Sequence, residues 1–295
     1  MRATDAVAYW TLAPAPLAVV AALAAAYVAG VRRLRRRGGR WPWWRSALFL
    51  GVGLPLVVLT VSWWPGARAH QIFAAYVTQV VMLALVAPAV LVIGAPVRLG
   101  REALAGTSAG DHVADVFDSR PMRVLTHPFV TPLVMLALPV VVVFTPLLRL
   151  TLESPTAYAA SQLVLLLLGL VAVLALVDGQ VPDAGVVYGV AAFVAFFELL
   201  LDAVPGGVLY FTTSLFGGGW YAEHGDPGGA AWALSDQNTA GAILWGVGEG
   251  IDVPFLIVLI VLWMRADAAE ARRMDAILDA QEEERRRFSE IVDGL

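Results

Sequence analysis

The sequence predicts an all-α, polytopic membrane protein of seven transmembrane helices, with its N-terminus outside and an amphipathic helix at its cytoplasmic C-terminus. Three observations lead there. The chain is 59% hydrophobic, with a mean hydropathy of +0.73 and only 15% charged residues. Soluble domains carry roughly a quarter charged residues, and a soluble core of 295 residues has no room for so much apolar surface. Seven stretches approach or reach the length of about 20 apolar residues that a span needs. The arginines are also strongly segregated along the chain.

The first stretch, 7–30, contains "ALAAAYVAG" but is followed by "RRLRRRGGR". A secretory signal carries its positive charge before the apolar run, so this segment reads as a retained helix. The remaining spans are expected at 46–64, 72–97, 128–148, 156–177, 185–204 and 238–264. With the N-terminus outside, 17 of the 20 basic residues, all arginine, fall on inside segments, leaving Arg2, Arg68 and Arg149 outside. Trp41, Trp43, Trp44, Trp63 and Trp64 sit where interfacial aromatic belts belong. A transmembrane domain is thus expected over 1–264, with a long outside loop at 205–237 and a helical tail at 265–295. That tail alternates acids with arginines around Met274, Ile277, Leu278, Phe288 and Ile291. Such a pattern serves a solvated surface helix or one docked on a partner.

The composition also excludes several chemistries. With no cysteine there are no disulfides, thiolate zinc sites or Cys-pair copper shuttles. No phosphate-binding G-x-x-x-x-G-K-[ST] loop, H-E-x-x-H motif or serine–histidine–acid spacing occurs, and no basic patch suggests a nucleic-acid partner. An enzyme is not expected.

Four acids lie within spans, where each costs about 2.5–3.5 kcal/mol on insertion scales. Glu198 and Asp202 are four apart, and Glu249 and Asp252 three apart, so each pair shares a helix face. Three readings fit them: protonated acids bonded to groups such as Thr78, Gln79 or Gln162, a bound cation, or a proton relay. On the outside, His70 opens the third span, while His224 has Glu223 and Asp226 beside it. These two histidines are candidate copper or zinc ligands, or ordinary interfacial residues.

Three segments resemble a known family. "QVVMLALVAPAVLVIGAPVRL" (79–99), "LTHPFVTPL" (125–133) and "DQNTAGAILWGVGE" (236–249) are similar, in order and spacing, to the CtaG family of caa3-type cytochrome c oxidase assembly factors. The matching positions are Asp236, Gln237, Gly241, Trp245, Glu249 and His127. The resemblance implies a bacterial inner-membrane protein that assists oxidase assembly, as a scaffold or as a handler of copper on the outer face. Its partners would be the lipid bilayer and oxidase subunits. The resemblance makes copper a possible cargo, yet the family's intramembrane histidines fall, by alignment, on Tyr76, Val80, Gln162, Val164 and Val194. The expected site is a chamber among spans three, six and seven, lined by Tyr76, Glu198, Asp202, Glu249 and Asp252, with its mouth near His70, His224 and Asp236. Asp236 is expected to cap its own helix. A transporter coupled to cations or protons through the four acids is the alternative.

Overall fold

A computed structural model describes residues 14–127, 130–178, 185–226 and 228–293. The side chains of Glu198, Asp202 and Asp252 lie outside the described ones. Regular structure among the described residues is helical: α1 (Pro14–Arg36), α2 (Trp43–Arg68), α3 (Phe73–Ile93), α4 (Pro96–Leu104), α5 (Ser108–Phe117), α6 (Arg120–Leu125), α7 (Val130–Phe144), α8 (Leu147–Glu153), α9 (Pro155–Asp178), α10 (Gly185–Phe211), α11 (Trp220–His224) and α12 (Ala230–Asp293). Four of them, α1, α2, α3 and α9, are long and apolar enough to cross a bilayer, and α7 with α8 makes a fifth if that pair, bent by 60°, is one span. The expected sixth and seventh spans fall within α10 and α12.

The chain divides into two units. The first, Met1–Gly179 with Asp202–Val247, is built around α3, which is 61% buried over its apolar window while α1 is 11% buried. Both α2 and α3 contain a wider π-turn, at Phe49–Gly53 and Met82–Val86. A proline follows each two residues later, at Pro55 and Pro88. A proline ring clashes with the carbonyl four residues back, and widening the turn ahead of it relieves that crowding. Close packing then depends on small residues. A Cβ on Gly169 of α9 would fall 2.2 Å from the Ala84 carbonyl oxygen of α3, so only glycine fits there. At the C-terminal end of α3, Tyr27 donates to the Gly94 carbonyl at 2.9 Å and accepts from Trp41 Nε1 at 3.0 Å. These bonds tie α1 and the start of α2 to the third helix.

The structure corrects the loop expected at 205–237. Helix α10 runs on to Phe211 and α12 begins at Ala230, so both ends of that stretch are helical. Pro205, Gly206 and Gly207 read as breakers in sequence, but Pro205 and Gly206 are buried packing residues. Membrane helices tolerate such residues where neighbouring helices cover the freed backbone.

The second unit, Gln180–Leu201 with Gly248–Leu295, holds the earlier part of α10 and the later part of α12. Phe193, Phe196 and Phe197 are exposed on the former, and Ile257, Trp263 and Met264 on the latter. Beyond Met264 the helix continues into the charged tail, where Met274, Ile277 and Leu278 are also exposed.

Candidate functional site

Asp236 does not cap its own helix. It lies two turns inside α12, and its carboxylate accepts instead from the Phe73 and Ala74 backbone N–H groups of α3, at 2.5 and 3.3 Å. These are orphan donors of a helix start, and a carboxylate there also complements the helix dipole. Burial raises the Asp236 carboxyl above its ordinary value, against the two N–H bonds, which lower it. Its neighbour Gln237 is buried. Gln237 Oε1 accepts from the Phe216 N–H at 2.9 Å, and Nε2 donates to the Ser214 carbonyl at 3.0 Å. Adjacent residues thus hold α12 to the start of α3 on one side and to the glycine-rich connection on the other.

That connection folds back over the turn between α2 and α3. Tyr221 donates to the Ala69 carbonyl at 2.8 Å, and Trp220 Nε1 donates to the His70 carbonyl at 3.0 Å. The Tyr221 ring packs on Phe73 at 5.0 Å, and burial pushes its phenol well above the usual value. His70 meets the edge of Tyr158 at 4.6 Å, and its burial lowers the imidazole pKa. His224 stacks on Trp220 at 3.9 Å, with Nδ1 at 3.1 Å from the Trp220 carbonyl. Asp226 pairs with Arg68 at 3.1 Å. Each of these groups is therefore engaged by a different neighbour. Among the described residues no three His, Asp or Glu side chains gather closely enough to hold a metal ion. The donor set described does not fit copper.

Below this roof lies a buried cluster of neutral polar groups. Thr151 Oγ1 donates to the Leu148 carbonyl at 2.7 Å, and the Tyr76 and Thr151 hydroxyls are 2.8 Å apart. A threonine has one hydroxyl hydrogen, so Tyr76 is the donor in that pair. Tyr158 donates to Gln79 Oε1, and Gln79 Nε2 donates to the Thr60 carbonyl at 3.2 Å. Gln162, one turn on from Tyr158 in α9, is buried as well. The Tyr76 and Tyr158 rings are 6.4 Å apart. Side chains from α3, α8 and α9 and a backbone carbonyl of α2 thereby form two hydrogen-bonded groups without formal charge, side by side at the Tyr76 and Tyr158 rings. Hydrocarbon offers no alternative partner, so such bonds fix helix rotation as well as contact.

The remaining expected residues are placed elsewhere. Gly241 brings α12 against α10, since a Cβ there would lie 2.6 Å from the Tyr210 nitrogen and 2.7 Å from the Gly206 carbonyl. Gly206 reciprocates, because its Cβ would fall 2.7 Å from that of Trp245. His127 precedes α7, where its carbonyl accepts from Val130 and Thr131 at 2.8 and 3.0 Å. Glu249 is half-buried and belongs to the second unit. Of the lining expected for the chamber, the described structure therefore places Tyr76 in a polar cluster. Glu198, Asp202 and Asp252 fall on side chains that are not described. Thr78, named as a partner for the acids, bonds the Ala74 carbonyl of its own helix at 2.7 Å.

Sequence reading missed Thr60, Thr151, Tyr158, Trp220 and Tyr221. Spacing held one clue. Tyr76 and Gln79 are three apart and Tyr158 and Gln162 four apart, so each pair marks a polar face on an apolar helix.

The family model described as cytochrome c oxidase caa3 assembly factor (Caa3_CtaG) matches residues 25–266. The chain belongs to this family. Relatives of the Caa3_CtaG chain include an uncharacterized protein of Mycobacterium bovis and one of Mycobacterium tuberculosis. Each is 27% identical over 277 residues, covering 88% of this chain and 40% of the relative. A third, from Mycobacterium leprae, is 28% identical over 276 residues, covering 86% and 39%. This family member thus spans about two-fifths of the length of the curated relatives it matches. No solved structure matches it.

Proposed function

We propose that the chain is a seven-span inner-membrane assembly factor for cytochrome c oxidase that acts as a scaffold at its outer face. The arginine distribution supports an outside N-terminus and a cytoplasmic C-terminus. One observation carries the scaffold reading. The outer ends of α2, α3 and α12 and the connection between α10 and α12 are locked together by Asp236, Gln237, Trp220 and Tyr221 over a neutral polar layer. A buried hydrogen-bonded layer of this kind rigidifies its surroundings, which suits a surface that must present one shape to a partner. A copper handler would need a donor set, and the described residues do not assemble one. The partners of this reading are the bilayer and subunits of the oxidase.

Deletion of the gene followed by a haem difference spectrum of the membranes tests the role. Loss of the oxidase bands, restored by the wild-type gene, is the expected result. An unchanged spectrum sinks the reading and favours transport through the intramembrane acids.

A further inference from the structure

Helices α4, α5 and α6 form the segment between the third and fourth spans. Ser119 caps α6 by accepting from the Met122 N–H at 3.5 Å. From there Arg120, Arg123 and Val124 recur three and four residues apart, which places them on one face of α6, and His127 follows in the turn after it. Together with Val130, the first residue of α7, they line an open cavity of about 510 Å³. Asp111, Asp115 and Asp118, the acids of the preceding helix and its end, do not line it. Arg120 and Arg123 are exposed, and among the described residues neither belongs to an ion pair, unlike Arg68, Arg98 and Arg149. Val124 lines the cavity with these cations although water does not favour it, and two further apolar residues of the neighbouring helices α5 and α7 are exposed as well. Val116 is 57%, Val124 58% and Leu133 60% exposed.

We propose that this cavity binds the phosphate headgroup of an anionic phospholipid. Arg120 and Arg123 meet the phosphate, and Val124 and Val130 lie along the first carbons of its acyl chains. Charge complementarity requires an anion. The valine side of the cavity, Val124 and Val130, calls for hydrocarbon next to that anion, which a free phosphate does not supply. The position fits as well, since the cavity opens at the head of α7, the helix that leads back into the apolar region. This inference rests on the bilayer reading of α7 and α8, and it is independent of the role in oxidase assembly.

The test uses the full chain in nanodiscs of phosphatidylcholine containing a minor fraction of phosphatidylglycerol, with retained lipids measured by native mass spectrometry. Wild-type protein should retain phosphatidylglycerol preferentially. The double variant R120Q/R123Q should lose that preference by roughly five-fold for each arginine. R272Q/R273Q removes the same charge from α12 and should keep the wild-type ratio. Retention by R120Q/R123Q overturns the site, and an equal fall in both double variants reduces it to bulk attraction. Displacement of the lipid by inorganic phosphate alone would also overturn it, making the cavity a site for the free ion. Both doubles change exposed side chains, so a matching elution profile from size exclusion confirms that folding is preserved.

Discussion

The carboxylate of Asp236 lies 2.5 Å from the backbone nitrogen of Phe73, 163 residues earlier in the chain. One side chain near the start of the last helix therefore terminates the third. Removing such a cap costs about 0.5–2 kcal/mol, so Asp236→Ala should lower the melting temperature of the detergent-solubilised protein.

Asp236→Asn separates capping from charge. Phe73 and Ala74 donate to different carboxylate oxygens, so an amide keeps one of the two bonds, on its single acceptor oxygen, without the desolvation of an ion. The folded carboxyl titrates above the ordinary value of 3.8, so the linked stability is fully present below that value and is lost as pH rises through the raised one. Thermal melts of wild type and Asp236→Asn should therefore converge or cross as pH rises from the acid side. Parallel curves across that window would remove the charge from the account.

His70 titrates with the opposite sign. Burial lowers its pKa from 6.5, so its contribution is complete above 6.5 and declines as pH falls through the lowered value. His70→Phe keeps a ring against Tyr158 and should flatten the fall in melting temperature below pH 6.5.

Tyr76 and Thr151 make an asymmetric pair. Without the tyrosine hydroxyl, Thr151 still donates to Leu148. Without the threonine hydroxyl, the Tyr76 hydroxyl loses its partner in a dry layer, a penalty of about 1–3 kcal/mol. Thr151→Val should thus destabilise more than Tyr76→Phe, and a double-mutant cycle of unfolding in mixed micelles measures the difference. Equal effects would place the hydroxyls outside any shared bond.

Gly241 tolerates no side chain, since its Cβ would strike backbone rather than a flexible tip. Gly241→Val should destabilise by about 1–3 kcal/mol or more, visible as a lower yield of folded protein in membranes. Glu249→Gln is different in kind. It should leave that yield unchanged and weaken the oxidase haem bands, and wild-type bands from it would leave Glu249 a packing residue.

Much of the scaffold was readable from residues alone. Apolar length and arginine placement predicted a helical membrane chain, and the motifs around Gln79, His127 and Asp236 pointed to the family later matched over 25–266. The tertiary ties were not readable. Asp236 sits where a local cap belongs, and nothing in the chain says that its helix starts six residues earlier, at Ala230. Pro205 and Gly206 carry the same letters whether they break a helix or pack it. Tyr76, Gln79 and Gln162 stand out in the sequence only as company for the acids, because tyrosine, threonine and glutamine are inexpensive enough in a span to look incidental, whereas the acids draw attention by their cost.

The π-turn at Met82–Val86 has a consequence for comparing this chain with its relatives. One extra residue in a turn rotates everything after it by about 100°. A helical wheel drawn through the whole of α3 therefore assigns one half of the helix to the wrong side. Positions 73–81 and 87–93 must be projected separately, and a motif that straddles both halves, such as 79–99, cannot be read as a single stripe.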